Sequence, residues 1–139
     1  MDHSINIYKD VITPELCNEL ISLHKKQKIY TEKEVHSQGA NVECYNLYLA
    51  HYPEYDEKVF HVIKEIVDKF LEDNIYFPDE LYHGSYVLRE HYGRTALHSD
   101  GLFDDEKSTK ARVLSIIIAL TDDYDGGVFN FPEQSYQVK

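Results

Sequence analysis

The hydrophobic pattern of the chain changes its period near Leu81, and this change is what most limits the folds open to it. Before Leu81, apolar residues mainly recur three and four positions apart, as on one face of a helix. After it, they alternate or form short continuous runs, as in strands. A chain of 139 residues is also long enough for one core and too short for two ordinary domains. We therefore predict a single α+β domain over 1–139, mainly helical over 1–80 and built of strands over 81–139.

Two helices are predicted in the first part. One begins in VITPELCNELISLHKKQ, where Thr13 can cap the N-terminus and Pro14 suits the first helical position. The other covers EYDEKVFHVIKEIVDKFLEDN, whose apolar residues form one stripe. Between them, NVECYNLYLAHY is rich in β-branched and aromatic residues and favours a strand, whereas YTEKEVHSQGANVE is expected to be a loop.

Three strands are predicted in the second part. SYVLREHY alternates, RVLSIIIAL is a continuous apolar run of strand length, and VFNFP places Phe129 and Phe131 on one face. Gly126 and Gly127 in TDDYDGG can adopt the positive φ of a tight turn. We therefore expect RVLSIIIAL and VFNFP to pair as an antiparallel hairpin.

The charge and composition exclude several classes of function. A formal net charge of -11 leaves no basic stripe for a phosphate backbone and disfavours an anionic membrane surface, so neither nucleic acid nor membrane is an expected partner. The N-terminus lacks the features of an export signal, and no run approaches the roughly 18 apolar residues of a membrane span. Cys17 and Cys44 lack disulfide or zinc-knuckle spacing, which together with these features predicts a cytoplasmic protein.

The stretch ALHSDGLFDD contains the strongest candidate for chemistry. Residues at i and i+2 at the end of a strand point the same way, so His98 and Asp100 would direct an imidazole and a carboxylate to one point. Two histidines and one carboxylate on one face of an octahedron are the arrangement of non-haem Fe(II) oxygenases. The His-x-Asp spacing by itself, however, is more typical of a surface turn or a hydrogen-bonded pair.

The order of motifs around His98 strengthens the metal interpretation, because it resembles that of the prolyl 4-hydroxylase-like 2-oxoglutarate- and Fe(II)-dependent dioxygenases. The upstream segment INIYKDVITPELCNELI also looks like the helical entry to that domain, so the resemblance covers most of the chain. The residues that carry it are, in chain order, Tyr92, His98 and Asp100, Arg112 and Ser115, Thr121, Gly126 and Gly127, and Phe131 with Pro132.

The resemblance implies a fold, cofactors and a reaction. The fold is a double-stranded β-helix, a jelly roll of eight strands, packed against N-terminal helices. The iron ligands are His98 and Asp100, with Tyr92, Ser115 and Ile117 beside the 2-oxoglutarate. Ascorbate is implied as an accessory cofactor. The reaction is hydroxylation of a C–H bond in a peptide, at proline, or in a small molecule, with decarboxylation of 2-oxoglutarate to succinate.

The sequence departs from the family pattern at its C-terminal side. The family's third iron ligand is a histidine well after Gly-Gly, and a Lys or Arg follows it to pair with 2-oxoglutarate; this chain has no histidine after His98. About three strands of the jelly roll would follow Lys139 in the family, so we expect a truncated product with an open sheet edge. That edge favours a homodimer in which two copies complete each other.

Several alternatives to this interpretation stay open. A catalytically inactive jelly-roll binding module would also lack the third ligand, and a zinc hydrolase is less favoured because three protein ligands are not visible. His91, like His83 and His51, is more simply an ordinary histidine than a replacement ligand. Arg112 is more simply a charge partner of the neighbouring acidic loop. Tyr92 is either a hydroxyl near the co-substrate or a half-buried aromatic residue.

Overall fold

The structure, a computed structural model, describes residues 5–37, 41–76, 81–101 and 110–138. Its helices and strands follow one another as α1 Pro14–Lys26, β1 Glu32–His36, β2 Asn41–Tyr48, α2 Pro53–Asp73, β3 Val87–Arg94, β4 Phe129–Phe131 and β5 Tyr136–Val138. The described residues therefore form an α+β protein, as the change of period predicts.

Both predicted helices are present. Helix α1 begins as expected, because the Thr13 hydroxyl accepts a hydrogen bond from the Leu16 amide at 3.2 Å and Pro14 takes the first helical position. Helix α2 ends where Asn74 donates a side-chain hydrogen bond to the Phe70 carbonyl at 2.8 Å. Both helices present one apolar stripe to the same core.

Strands β1, β2 and β3 form an antiparallel sheet in that order. The strand expected in NVECYNLYLAHY is its central strand, and the strand expected in SYVLREHY is β3. Gly93 is required at the far end of β3, because its φ is +90° and an added Cβ would lie 1.6 Å from the Asn41 carbonyl oxygen. This close approach keeps β2 and β3 paired up to the point where the chain turns toward His98.

The expectation of a loop over YTEKEVHSQGANVE was wrong in part, because β1 lies within it. Glu34 of β1 pairs with Cys44 of β2, and four of the five β1 residues are exposed. Charged side chains on an edge strand carry little hydrophobic signal, and they also limit pairing with other chains. The strand exists because β2 offers it a backbone partner, which local sequence does not reveal.

The core lies between one face of this sheet and the two helices. Leu20 and Leu23 of α1 meet Leu47 and Leu88 of the sheet, and Leu49 is fully buried at 0% exposure. Burial of such side chains is worth roughly 1.5–3 kcal/mol each. Within the described residues, neither helix is long and apolar enough to cross a membrane.

The segment from Lys110 to Val138 differs from the prediction. RVLSIIIAL forms no strand, and β4 pairs with β5 through a turn in which Ser135 is left-handed, so the expected hairpin between RVLSIIIAL and VFNFP was wrong. Gly126 and Gly127 do have positive φ values of 74° and 73°. These two glycines bend the chain, but the segments before and after them do not pair. A turn brings two strands together only when both strands present matching backbone edges.

Candidate functional site

The two faces of the sheet of β1, β2 and β3 have different neighbours. Alternation along the strands directs Leu47 and Leu88 to the helices and their neighbours to the opposite side. We call that opposite side the polar face; it comprises Glu34 and His36 of β1, Cys44 and Asn46 of β2, and Arg89 and His91 of β3. The sheet therefore separates a hydrophobic core from a surface of ionisable and polar groups.

A groove of about 320 Å³ runs over the polar face. It is lined by Glu34, His36, Val42, Cys44, Arg89, His91, Thr95, Ala96 and His98. The size lies at the lower end of the range for small-molecule sites. His98 therefore borders the same groove as residues of the polar face, whereas Asp100 and Ser115 do not line it.

His98 is held in a defined tautomer. Its Nδ1 lies 2.9 Å from the Ala96 carbonyl oxygen, which can only accept, so Nδ1 carries the hydrogen. Its Nε2 faces Asp100 Oδ1 at 3.5 Å. In a neutral ring Nε2 is an acceptor, so Nε2 and Oδ1 present two lone pairs toward the same exposed position. A backbone acceptor on the second ring nitrogen is also the usual partner of a metal-binding histidine.

Asp100 is oriented from its other side by Ser115. The Ser115 hydroxyl donates a hydrogen bond to Asp100 Oδ2 at 2.6 Å, and Arg112 donates to the adjacent Gly101 carbonyl at 3.2 Å. The Ser115 hydrogen bond is the largest cause that lowers the pKa of Asp100 below its ordinary value of 3.8, and the charges of Arg112 and His98 add to it. The carboxylate is therefore ionised and leaves Oδ1 directed at His98.

The His98 and Asp100 donors suit a divalent metal that prefers nitrogen and oxygen ligands, such as Fe(II). Two ligand atoms at right angles, each about 2.1 Å from one ion, are about 3 Å apart. The 3.5 Å between Nε2 and Oδ1 is close to this separation. Within the residues that the structure describes, no group of three His, Cys, Asp or Glu is placed to hold a metal. The described residues thus bring together two candidate ligands rather than three.

His91 lies in the groove but is occupied by neighbours. Its Nδ1 is 3.1 Å from Cys44 Sγ, and its Nε2 is 3.5 Å from the Thr95 hydroxyl. Burial is the largest cause that raises the pKa of the Cys44 thiol, so Cys44 is protonated at neutral pH. These contacts fit the ordinary strand histidine predicted for position 91.

Two of the sequence-predicted site residues lie apart from His98 and Asp100. Tyr92 alternates with His91 and therefore points to the other face, where its hydroxyl donates to Glu90 and its ring meets Tyr45 edge-on with centroids 6.4 Å apart. Ile117 is 71% exposed and does not line the groove. Ser115 is the predicted co-substrate residue that the structure does bring to the pair.

Asn46 and Arg89 were missed by sequence reasoning. Asn46 is buried at 2% exposure in the middle of β2, and Arg89 Nε donates to its side-chain oxygen at 2.8 Å. Asparagine is disfavoured in strands, so a polar amide within an aromatic and β-branched run was an available signal. That Arg89 is the partner of Asn46 could not be predicted in this way, because their contact depends on the register of β2 and β3.

No protein-family model, curated protein or solved structure matches the chain.

Proposed function

We propose that this protein is a 2-oxoglutarate- and Fe(II)-dependent dioxygenase in which His98 and Asp100 bind the metal. One observation carries the proposal: His98, which lines the groove, presents Nε2 to Asp100 Oδ1 at 3.5 Å, while the Ala96 carbonyl holds Nδ1. The ordered motifs that resemble the prolyl 4-hydroxylase-like family support the same assignment. The fold that accompanies this function is the double-stranded β-helix, to which the antiparallel strands would belong.

Each residue at the site has a specific task in this proposal. His98 presents a lone pair at Nε2, and Asp100 presents a carboxylate oxygen, so that both bind one ion. Ser115 fixes the Asp100 rotamer through the 2.6 Å hydrogen bond. Bound iron supplies the activation of O₂ for C–H oxidation, coupled to conversion of 2-oxoglutarate to succinate and CO₂. The polar groove would admit the co-substrate beside a peptide or small-molecule substrate.

We also propose a cellular location, a reductant and a partner for this protein. Cys17 and Cys44 are both free thiols, which fits the reducing cytoplasm that we propose as the location. Ascorbate would serve as a reductant that maintains Fe(II). A second copy of the chain remains the partner we propose for completing the sheet.

The proposal is tested by anaerobic titration of the protein with Fe(II) and 2-oxoglutarate. A visible charge-transfer band is expected, because the co-substrate then chelates the bound iron. His98→Ala and Asp100→Ala should abolish the band, whereas His61→Ala should leave it unchanged, since His61 is an exposed residue of α2 paired with Glu57. Absence of the band in the folded wild-type protein would contradict the proposal.

A binding module without catalysis is the second candidate. It is favoured by one observation: the described residues present two metal ligands at this site rather than a group of three. Such a module would bind a ligand in the groove without succinate formation. Measuring succinate release together with ligand binding separates the two candidates, because the dioxygenase requires both.

A further inference from the structure

We infer that Arg89 is the carboxylate-binding residue of the groove and that Asn46 positions it. The ligand is a small dicarboxylate lying between Arg89 and the His98–Asp100 pair. Its identification as 2-oxoglutarate rests on the proposed function, whereas the role of Arg89 rests on the geometry of the polar face. Arg89 is also separate from the Lys or Arg that the resemblance places after the third iron ligand.

The guanidinium of Arg89 is held by a hydrogen-bond network centred on the buried Asn46. Its Nε donates to Asn46 Oδ1 at 2.8 Å, and Asn46 Nδ2 in turn donates to Glu34 Oε2 at 3.0 Å. Asn46 is 2% exposed, so both sides of its amide must be satisfied within the protein. The amide therefore fixes the plane of the guanidinium relative to the sheet.

One terminal nitrogen of Arg89 faces Glu34 of this network at ion-pair distance, and the side chain also borders the groove. Nη2 lies 3.7 Å from Glu34 Oε2, beyond hydrogen-bond distance. Within the described ranges, the hydrogen bond that Arg89 donates is the one from Nε. The side chain is half exposed and lines the same groove as His98. A carboxylate can thus pair with the Nη groups while Asn46 keeps Nε.

Glu34 is an ion-pair partner of Arg89 and is also held by other groups. Its two oxygens are used by Asn46 and by His36, and the His36 hydrogen bond is the largest cause that lowers the pKa of Glu34. The carboxylate is thus already paired within the sheet. In a chain with 25 acidic and 14 basic residues, the guanidinium in the groove supplies a local positive charge for an anion.

Arg112 and Arg94 lie elsewhere. Arg112 donates to the Gly101 carbonyl and acts on the charge of Asp100, so it belongs to the metal end of the site. Arg94 pairs with Asn41 at the end of β3 and does not line the groove. Arg94 on the same strand is therefore a matched control for Arg89.

The test measures ligand binding separately from metal binding. Mn(II), a redox-inert substitute for Fe(II), is titrated by electron paramagnetic resonance, and 2-oxoglutarate is titrated by calorimetry in its presence. Arg89→Gln should weaken 2-oxoglutarate binding roughly 10- to 100-fold through loss of charge-assisted hydrogen bonds. It should leave Mn(II) affinity unchanged, and Arg94→Gln should change neither.

A second ligand tests which carboxylate Arg89 binds. 2-Oxobutyrate keeps the oxo acid and lacks the distal carboxylate, so the wild-type protein should bind it more weakly than 2-oxoglutarate. In Arg89→Gln this preference should disappear, because the distal carboxylate of 2-oxoglutarate then has no guanidinium to bind, and its absence from 2-oxobutyrate costs nothing further. Arg89→Lys should restore part of the affinity, since an ammonium keeps the charge without the two-pronged geometry.

The outcomes separate this inference from the proposed function. If Arg89→Gln keeps both the affinity and the preference for 2-oxoglutarate, the inference is overturned. If the wild-type protein fails to bind Mn(II), the dioxygenase proposal fails, and the inference about Arg89 is then decided by titrating 2-oxoglutarate without metal. Binding of 2-oxoglutarate that depends on Arg89 in this titration supports the inference. Absence of 2-oxoglutarate binding both with and without Mn(II) overturns the inference.

Discussion

The sheet of β1–β3 and the segment 110–138 are both rich in strand-forming residues, yet their surroundings differ. Within the part of the chain that the structure describes, every buried residue lies between Leu20 and Leu88, and the segment 110–138 contains none. RVLSIIIAL is more apolar than the β3 sequence VLREHYGR. The less apolar sequence nevertheless forms the paired and partly buried strand.

The difference teaches that apolar content does not by itself produce a strand. A strand needs an edge with free amides and carbonyls beside it and a surface to cover. β3 has both, because β2 pairs with it over eight residues and the helices cover Leu88. In the segment 110–138, Leu120 packs against the core while Val113 and Ile117 are exposed. Four measurements would break or sharpen this comparison.

The largest contrast is expected in amide hydrogen exchange. Amides of β2 donate to neighbouring strands and should exchange more than about a thousandfold more slowly than those of 113–120, which donate no backbone hydrogen bond to any described residue. Exchange followed by NMR at neutral pH measures both. Equal protection of the two regions would contradict the comparison, because it would mean that 113–120 is hydrogen-bonded in solution.

The next contrast is in the free energy of unfolding. Leu49→Ala should cost about 2–5 kcal/mol, because it leaves a cavity in the core where Leu49 is 0% exposed. Ile117→Ala should cost less than about 0.5 kcal/mol, since that side chain is 71% exposed. Urea unfolding followed by circular dichroism gives both values. A similar cost for the two would show that Ile117 is buried in solution.

A smaller contrast in the free energy of unfolding is expected between Asn46 and Ser115, whose side chains each donate a hydrogen bond to a carboxylate. Asn46→Ala should cost about 1–3 kcal/mol, because Glu34 and Arg89 lose a buried partner. Ser115→Ala removes one hydrogen bond to Asp100 at an exposed position and should cost less than Asn46→Ala. Thermal unfolding of both variants tests the order. A larger cost for Ser115→Ala than for Asn46→Ala would contradict the network that the buried Asn46 forms with Glu34 and Arg89.

The smallest effect is expected in the titration of Asp100. Its folded pKa lies below the ordinary value of 3.8, so this carboxylate stabilises the protein above that pH, and the contribution is lost as pH falls through the folded pKa. Ser115→Ala should raise the pKa of Asp100 toward 3.8, because the hydroxyl is the largest cause of the lowering. Carboxyl carbon NMR measures the shift. An unchanged value would remove Ser115 from the site.

Local sequence predicted the elements whose signals are local. Helix α1 depends on Thr13 and Pro14, and helix α2 on a stripe of apolar residues, all of which can be read within one segment. The proximity of His98 and Asp100 was predicted from their i, i+2 spacing at a strand end, but β3 ends at Arg94 and the two residues lie in the non-strand segment after it. Strand β1 and the pairing of β4 with β5 were not predicted, since each depends on which edge lies beside it.

The residues of the candidate site likewise divide into those that the sequence predicted and those that only the structure brought to the site. The sequence pointed to His98, Asp100 and Ser115, and the structure brings these three together. It also pointed to Tyr92, which the alternation of β3 turns to the opposite face from His91. Arg89 had no distinguishing mark in the sequence. Its place beside Asn46 follows from the register of two strands that are separated in the chain by the whole of α2.

By itself, then, the sequence determined the class of fold, the two helices, and the positions of β2 and β3, and it singled out His98 and Asp100 as a candidate pair. These depend on periodicity and capping, which act over one or two turns of chain. Tertiary structure alone decided that β1 pairs, that RVLSIIIAL stays unpaired, and that Arg89 shares a groove with His98 and a hydrogen bond with Asn46. Those outcomes depend on register and on the surface available for burial, and both are properties of segments distant in sequence.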